Sequence, residues 1–141
     1  MILDGLLITL AIITIWTDGR HRKIYNKVLL PILLLALCTN TYNEGLPGLL
    51  NSLMGCAIGY SILIIPYKVG GLCAGDVKLL AVFGSIVGLH LIIPVFVYGA
   101  LLGGVISLYK MLRKQRTLAY GVPLSIGALA SIWIPWEVFM K

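Results

Sequence analysis

The feature that most constrains the fold is the stretch 79–109, which contains no Asp, Glu, Lys or Arg. As a single helix it would be roughly 46 Å long, whereas the hydrocarbon core of a bilayer is about 30 Å thick. Two helices joined by a tight turn fit that thickness better. Gly88, His90 and Pro94 cluster where the turn should fall, and proline interrupts the hydrogen-bond ladder of a helix. The stretch therefore predicts two consecutive membrane helices.

The rest of the sequence is also poor in charge. Charged residues make up 11% of the 141 residues and hydrophobic residues 60%, whereas soluble domains have about 25% charged residues. The chain therefore lacks the polar material to cover a soluble surface. We predict an all-α membrane protein, a single domain over 1–141, whose first segment is a retained helix because it lacks the basic start of a secretory signal. Its six predicted transmembrane helices cover 2–17, 28–42, 46–66, 76–89, 91–112 and 118–139.

Basic residues predict how these helices cross the membrane. Every Lys and Arg except Lys141 lies in one of three stretches, 20–27, 68–78 and 110–116. With six helices all three stretches fall on one side, which the positive-inside rule makes cytoplasmic. Both termini are then expected to be extracytoplasmic. The net charge of +6 is explained by this topology, so we expect the lipid bilayer as a partner and no nucleic acid.

Glycine spacing indicates where helices approach each other closely. Three pairs are spaced four residues apart, which places small residues on one helix face. These pairs are Gly55 and Gly59, Gly84 and Gly88, and Gly99 and Gly103.

Two of the five acids carry the functional signal. Asp18 and Asp76 map to the predicted cytoplasmic side, at the ends of helices that are short of the bilayer thickness. Both carboxyls should therefore lie in a water-accessible recess just below the surface. Two carboxyls there can share a proton, so that one activates a water and the other protonates a leaving amine. The alternative is that both are ordinary loop residues paired with nearby Lys and Arg, which contributes little energy.

The sequences around both acids resemble the two motifs of the type IV prepilin peptidase family. Asp18 is followed six residues later by Ile24-Tyr25-Asn26, which is similar to the Asp and the later Ile-Pro-Asn of that family. The second stretch, Cys73-Ala-Gly75-Asp76-Val-Lys78-Leu, resembles Gly-x-Gly-Asp-x-Lys-Leu. A third stretch, Tyr-Gly-Val-Pro over 120–123 with Gly-Ala-Leu over 127–129, resembles the family's last helix.

The resemblance implies a membrane aspartic endopeptidase of the bacterial or archaeal cytoplasmic membrane, with its active site facing the cytoplasm. Its substrates would be prepilins or pseudopilins, whose leader peptides it removes. Carried over by motif position, Asp18 and Asp76 are the catalytic acids. The motif positions Asn26, Gly75 and Lys78 are expected to support the site, Gly75 by leaving backbone room beside Asp76.

Two positions depart from the family pattern. Tyr25 stands where the family has proline, and Cys73 replaces the first glycine of Gly-x-Gly-Asp. Cys73 places a side chain beside the catalytic loop, which could narrow the substrate channel. Activity is still expected because both acids are present.

Larger members of the family carry a cysteine-rich insert after the first helix and an N-methyltransferase activity. This chain has three cysteines but no CxxC pair, and only a short loop follows its first helix. It therefore resembles the short form found with tight-adherence pili, and we expect peptidase activity without methylation. Too few metal-ligating residues cluster for a metal site, so we expect neither metal nor cofactor.

Two other functions remain open from the sequence. A catalytically inactive membrane scaffold of a pilus or secretion apparatus would keep the fold, and Cys73 and Tyr25 favour it. A small transporter could use the acids as a proton relay. However, both acids lie on one side, whereas transporter sites are usually near the bilayer midplane.

Overall fold

The computed structural model describes residues 2–21, 26–68, 72–112 and 121–133, and these residues are almost entirely helical. Its helices are α1 (Ile2–His21), α2 (Asn26–Glu44), α3 (Leu46–Lys68), α4 (Ala74–Leu112) and α5 (Gly121–Trp133). The prediction of an all-α fold is confirmed.

Helix α4 contains the predicted interruption, but in a different form from the two separate helices 76–89 and 91–112. It is one element broken at a single residue, Gly88, with φ 76° and ψ −176°. This backbone conformation is essentially restricted to glycine. The break therefore falls at the glycine of the predicted turn and not at Pro94, which the continuing helix contains.

The break at Gly88 reverses the direction of α4. In a straight helix Gly99 would lie roughly 34 Å from Asp76. Yet Gly99 packs against Leu124, one turn into α5, while the Gly121 amide at the start of α5 bonds to Asp76. Both ends of the element must therefore approach the start of α5, which requires the two halves to run antiparallel.

Side chains of α2 and α3 satisfy the backbone groups at this break. In an unbroken helix the Leu89 N–H would donate to the Ser85 carbonyl. Here it donates to Asn51 Oδ1 at 2.9 Å. The Ser85 carbonyl accepts hydrogen bonds from Asn40 Nδ2 at 2.9 Å and from the Ser52 hydroxyl. Because an unpaired buried backbone group costs about 1–3 kcal/mol, these three side chains specify where α4 turns.

Glycines bring α3 and the first half of α4 into backbone contact, as the four-residue spacing predicted. A Cβ on Gly55 would overlap the carbonyl oxygen of Gly84, and a Cβ on Gly84 would overlap that of Gly55. One turn along, a Cβ on Gly59 would meet the Leu80 carbonyl. Helix α5 packs against both α4 and α1, so its first turn lies between them.

Several predicted helix ends were wrong by a few residues. Helix α1 continues to His21, not to residue 17, and α4 begins at Ala74, two residues earlier than predicted. Helix α2 begins at Asn26, which was predicted to precede it. Apolar runs report contact with lipid, whereas helices continue past the lipid as long as their backbone bonds are satisfied. Tyr25, residues 118–120 and 134–139 of the last predicted helix, and Lys141 lie outside the described residues.

Among the described residues, two helical stretches are long and apolar enough to cross a membrane: Leu46–Lys68 and Ala74–Ile106, which includes the break at Gly88. Helix α5 is apolar but shorter. The number of crossings and the side on which each terminus lies remain predictions.

Candidate active site

Asp18 lies in the last turn of α1 and points into the protein. Only 4% of the residue is exposed. Its Oδ2 accepts a hydrogen bond of 3.2 Å from the backbone N–H of Val122, in the first turn of α5. Asp18 is therefore neither a loop residue nor a solvated one.

Asp76 lies in the first turn of α4, where local backbone geometry fixes it. Its Oδ2 accepts the N–H of Cys73 at 3.2 Å, and its own N–H donates to the Cys73 carbonyl at 3.1 Å. A carboxylate at the third helical position that bonds back to the residue before the helix forms half of a capping box. Negative charge is also favoured at a helix N-terminus. Asp76 is 2% exposed, and its bonds with Cys73 orient it at the start of α4.

The start of α5 joins the two acids. The backbone N–H of Gly121 donates to the Asp76 carboxyl, and that of the next residue, Val122, donates to Asp18. The first N–H groups of a helix have no partner within the helix, so they are available for anions. Pro123, which has no N–H, follows directly and fits a first turn. Two consecutive amides at the start of α5 therefore bind the two carboxyls, one amide to each carboxyl.

Cys73 lies within the electrostatic reach of both acids. Partial burial raises the pKa of the Cys73 thiol, and the negative charges of Asp76 and then Asp18 raise it further. Both carboxyls therefore lie close enough to act on one sulfur. The side chain of Cys73 is exposed, whereas Asp76 is buried.

The remaining predicted site residues lie near the same end of α4 as Asp76, and Lys78 and Asn26 lie on the side of α4 that faces α2. Lys78 Nζ donates to Asn26 Oδ1 at 3.3 Å, which ties the start of α2 to the first turns of α4. The two motif positions whose roles the sequence left open thus contact each other. Gly75 is half-buried at the second residue of α4, directly before Asp76.

Two adjacent buried carboxyls can carry out general acid–base chemistry on a bound amide. Close like charges cannot both ionise cheaply, so such a pair tends to keep one proton. Within the described residues no group of three His, Cys, Asp or Glu side chains is placed to bind a metal ion. The described part of the site thus offers two carboxyls and backbone amides as its chemical groups.

Comparison with known proteins shows the family of the chain. The sequence model of the type IV leader peptidase family matches residues 5–108, which include both acids. The chain belongs to this family. Members of the family are membrane proteins, and the apolar helices described above fit that class. No solved structure matches the chain.

Three similar curated proteins are each named prepilin leader peptidase/N-methyltransferase. That of Escherichia coli is 30% identical over 92% of this chain and 60% of its own length. That of Bacillus subtilis is 30% identical over 86% of this chain and 51% of its own length. That of Xanthomonas campestris is 29% identical over 83% of this chain and 43% of its own length. The chain thus spans about half the length of the curated relatives it matches.

The amides of Gly121 and Val122 are the part of the site that the sequence did not assign. The sequence indicates only that their stretch is similar to the family's last helix. A glycine directly before a valine and a proline is a signal for a helix start, but it does not indicate what the free amides bind.

Proposed function

We propose that the chain is an aspartic endopeptidase of the cytoplasmic membrane that removes the leader peptides of prepilins or pseudopilins. The observation that carries the proposal is the convergence of Asp18 and Asp76 on consecutive amides of α5. Family membership supports the reaction class, and the names of the similar proteins support the substrate class.

In the proposed reaction the carboxyls act on water and on the peptide bond without a covalent intermediate. One ionised carboxyl takes a proton from a water, whose oxygen attacks the carbonyl carbon of the scissile peptide bond. The other carboxyl, protonated, donates its proton to the nitrogen as the C–N bond breaks. The products are a new carboxyl group on the leader and a new amine on the mature pilin, and the pair again holds one proton.

The cytoplasmic side is the proposed location of this site. Asp18 at the end of α1, Asp76 at the start of α4 and the start of α5 lie together, at the end of the helices where the predicted cytoplasmic basic stretches begin. The leader peptide would then be cut before the pilin helix leaves the membrane.

We also propose that cleavage occurs without N-methylation. The segment between Asp18 and Asn26 has no room for the cysteine-rich insert of the larger family members. Mass spectrometry of the cleaved pilin tests this directly, since an unmodified N-terminal amine is expected. A product heavier by one methyl group would contradict it.

Replacing each acid tests the peptidase itself. Asp18→Asn and Asp76→Asn are nearly isosteric, so both should insert into the membrane but lose prepilin cleavage in a co-expression assay. The double variant should lose no more than either single one, because the acids act as a unit. Asp4→Asn is the matched control, since Asp4 is exposed near the other end of α1 and should leave cleavage intact.

The inactive scaffold is the second candidate, and Cys73 beside Asp76 favours it. It predicts that even the wild-type chain leaves prepilin uncut. Wild-type cleavage that Asp76→Asn abolishes would exclude the scaffold. Cleavage by Asp76→Asn at the wild-type rate would instead overturn the two-carboxyl mechanism.

A further inference from the structure

An apolar groove lies between α2, α3 and the first half of α4, away from the two acids. Its volume is about 290 Å³. Its walls are formed by Leu29, Leu30 and Leu33 of α2, Tyr60 of α3, and Ala81 and Val82 of α4. Leu30 and Tyr60 are exposed, so the groove opens on the outer surface of the helix bundle.

One basic side chain, that of Lys78, lies at one end of this groove. Among the described residues that line it, Lys78 is basic and none is acidic. Lys78 is exposed and bonds to Asn26, a neutral side chain, so its charge is not neutralised by that contact. Asn26 and Lys78 begin the groove, and the leucines of α2 continue it toward the membrane interior. The groove is therefore amphipathic along its length, with a positive end and an apolar body.

Lys78 faces away from the candidate active site. Two residues of a helix that are two positions apart point about 200° from each other around its axis. Asp76 contacts α5, whereas Lys78 contacts α2. The groove is thus on the opposite side of α4 from the acid pair.

The size of the groove selects among its apolar occupants. One turn of an α-helix, roughly 10 Å wide and 5.4 Å long, occupies about 400 Å³. The groove is smaller than that and open along the surface, so no full helix turn enters it. Its volume accommodates part of a single hydrocarbon chain, and a chain with an anionic group at one end also matches the position of Lys78.

We propose that this groove binds one anionic phospholipid, with an acyl chain along α2 and the phosphate at Lys78 and Asn26. The site is separate from the proposed peptidase chemistry and does not depend on it. It also gives the Asn26–Lys78 pair a role: the pair closes the groove at its headgroup end. Anionic lipids are abundant at cytoplasmic membrane surfaces and attract basic side chains there.

Native mass spectrometry of the purified full chain tests the proposal. The protein is mixed with equal amounts of phosphatidylglycerol and phosphatidylcholine that have the same acyl chains. We expect bound phosphatidylglycerol to exceed phosphatidylcholine, and Lys78→Gln to reduce this preference about fivefold, the attraction that one Lys contributes near an anionic surface. Glutamine can still bond to Asn26, so the change removes the charge and leaves the contact possible.

Arg20→Gln is the matched control. It removes the same charge from an exposed residue of α1, which does not line the groove, and should leave the preference unchanged. Equal binding of both lipids by the wild type would overturn the proposal. So would an equal loss of preference in both variants, because the effect would then come from net charge alone.

A second variant tests whether the acyl chain occupies the groove. Leu33→Trp should fill the groove and reduce retention of both lipids, while Lys78→Gln affects only the anionic one. A photoreactive residue at Leu30 should form a lipid adduct in membranes that contain no prepilin. When prepilin is co-expressed, a cross-link to prepilin without any lipid adduct would show that the substrate occupies the groove and would refute a lipid site.

Discussion

At the scale of single residues, Cys73 contacts Asp76 through its backbone and not through its thiol. The hydrogen bond to Asp76 Oδ2 comes from the Cys73 N–H, a group that every residue except proline provides. The side chain itself is exposed. The departure from the family glycine therefore adds an exposed side chain at the residue before α4, while the backbone bond to Asp76 is retained.

Cys73→Gly is accordingly expected to keep prepilin cleavage. Glycine supplies the same N–H and is accepted at the position before a helix, so the start of α4 is not weakened. Cleavage is compared with that of the wild type and of Cys73→Ser, which keeps the side-chain size without a thiol. Loss of cleavage in both variants would mean that the thiol has a role in the reaction.

The same thiol can report the charge on the acids. In a background without Cys38 and Cys56, Asp76→Asn should lower the pKa of Cys73, because it removes a negative charge that raises that pKa. The thiolate fraction at pH 8 then increases, and alkylation by iodoacetamide should be faster, by less than about tenfold, the factor for one full pKa unit.

Asp18→Asn should have a smaller effect of the same sign, since Asp18 raises the Cys73 pKa less than Asp76 does. Asp4→Asn serves as the control and should not change the rate. If neither Asp18→Asn nor Asp76→Asn accelerates alkylation, the acids do not lie near Cys73 in the folded protein.

At the scale of elements, the broken helix α4 determines what meets at the site. Without the reversal at Gly88, the second half of α4 would extend away from Asp76. It could not then pack against α5, whose first residue contacts Asp76. The side chains at the break lie at the far end of the bundle, yet they set how α5 is placed between α1 and α4. The position of the two amides that hold Asp18 and Asp76 thus depends on a distant turn.

Gly88→Ala should destabilise this turn. A Cβ at Gly88 would overlap the side chain of Asn51, and the φ of 76° with extended ψ is strained for any other residue. We expect a loss of about 1–3 kcal/mol from the backbone conformation alone. The measurement is thermal or denaturant unfolding in one detergent.

Gly104→Ala is the control within the same element. A Cβ at Gly104 would meet nothing within 4 Å, and alanine in a helix is about 0.5–1 kcal/mol more favourable than glycine. It should therefore leave stability unchanged or raise it. Equal stability of the Gly88 and Gly104 variants would show that α4 is not broken at Gly88.

The sequence predicted the parts of the fold and of the site that depend on a recognisable pattern of side chains. A charge-free stretch too long for one membrane helix located the break near Gly88, and two Asp motifs located the acids. It did not predict the amides of Gly121 and Val122, because every residue carries such a group and only the fold decides which acid it meets. The Asn26–Lys78 contact joins residues far apart in sequence, and neither residue signals its partner.

At the scale of the whole molecule, hydrogen bonds show which helix ends lie at the same end of the bundle. Asn40, near the end of α2, bonds to Ser85, while Asn51, in the first turns of α3, bonds to Leu89. The α2–α3 turn and the α4 break therefore lie at one end of the bundle. The Asp pair and the start of α5 lie at the other.

This arrangement makes the predicted topology testable with four single-cysteine variants in a background without Cys38, Cys56 and Cys73. Asn43 and His90 are exposed near the first end and should react with an impermeant thiol reagent added outside intact cells. Cysteines at 22 and 114, in two of the basic stretches, should be shielded until the membrane is permeabilised, when all four should label. The reason is that Lys and Arg favour the cytoplasmic side. Opposite sides for 22 and 114 would contradict six crossings, since those two positions share a side only if the chain crosses an even number of times between them.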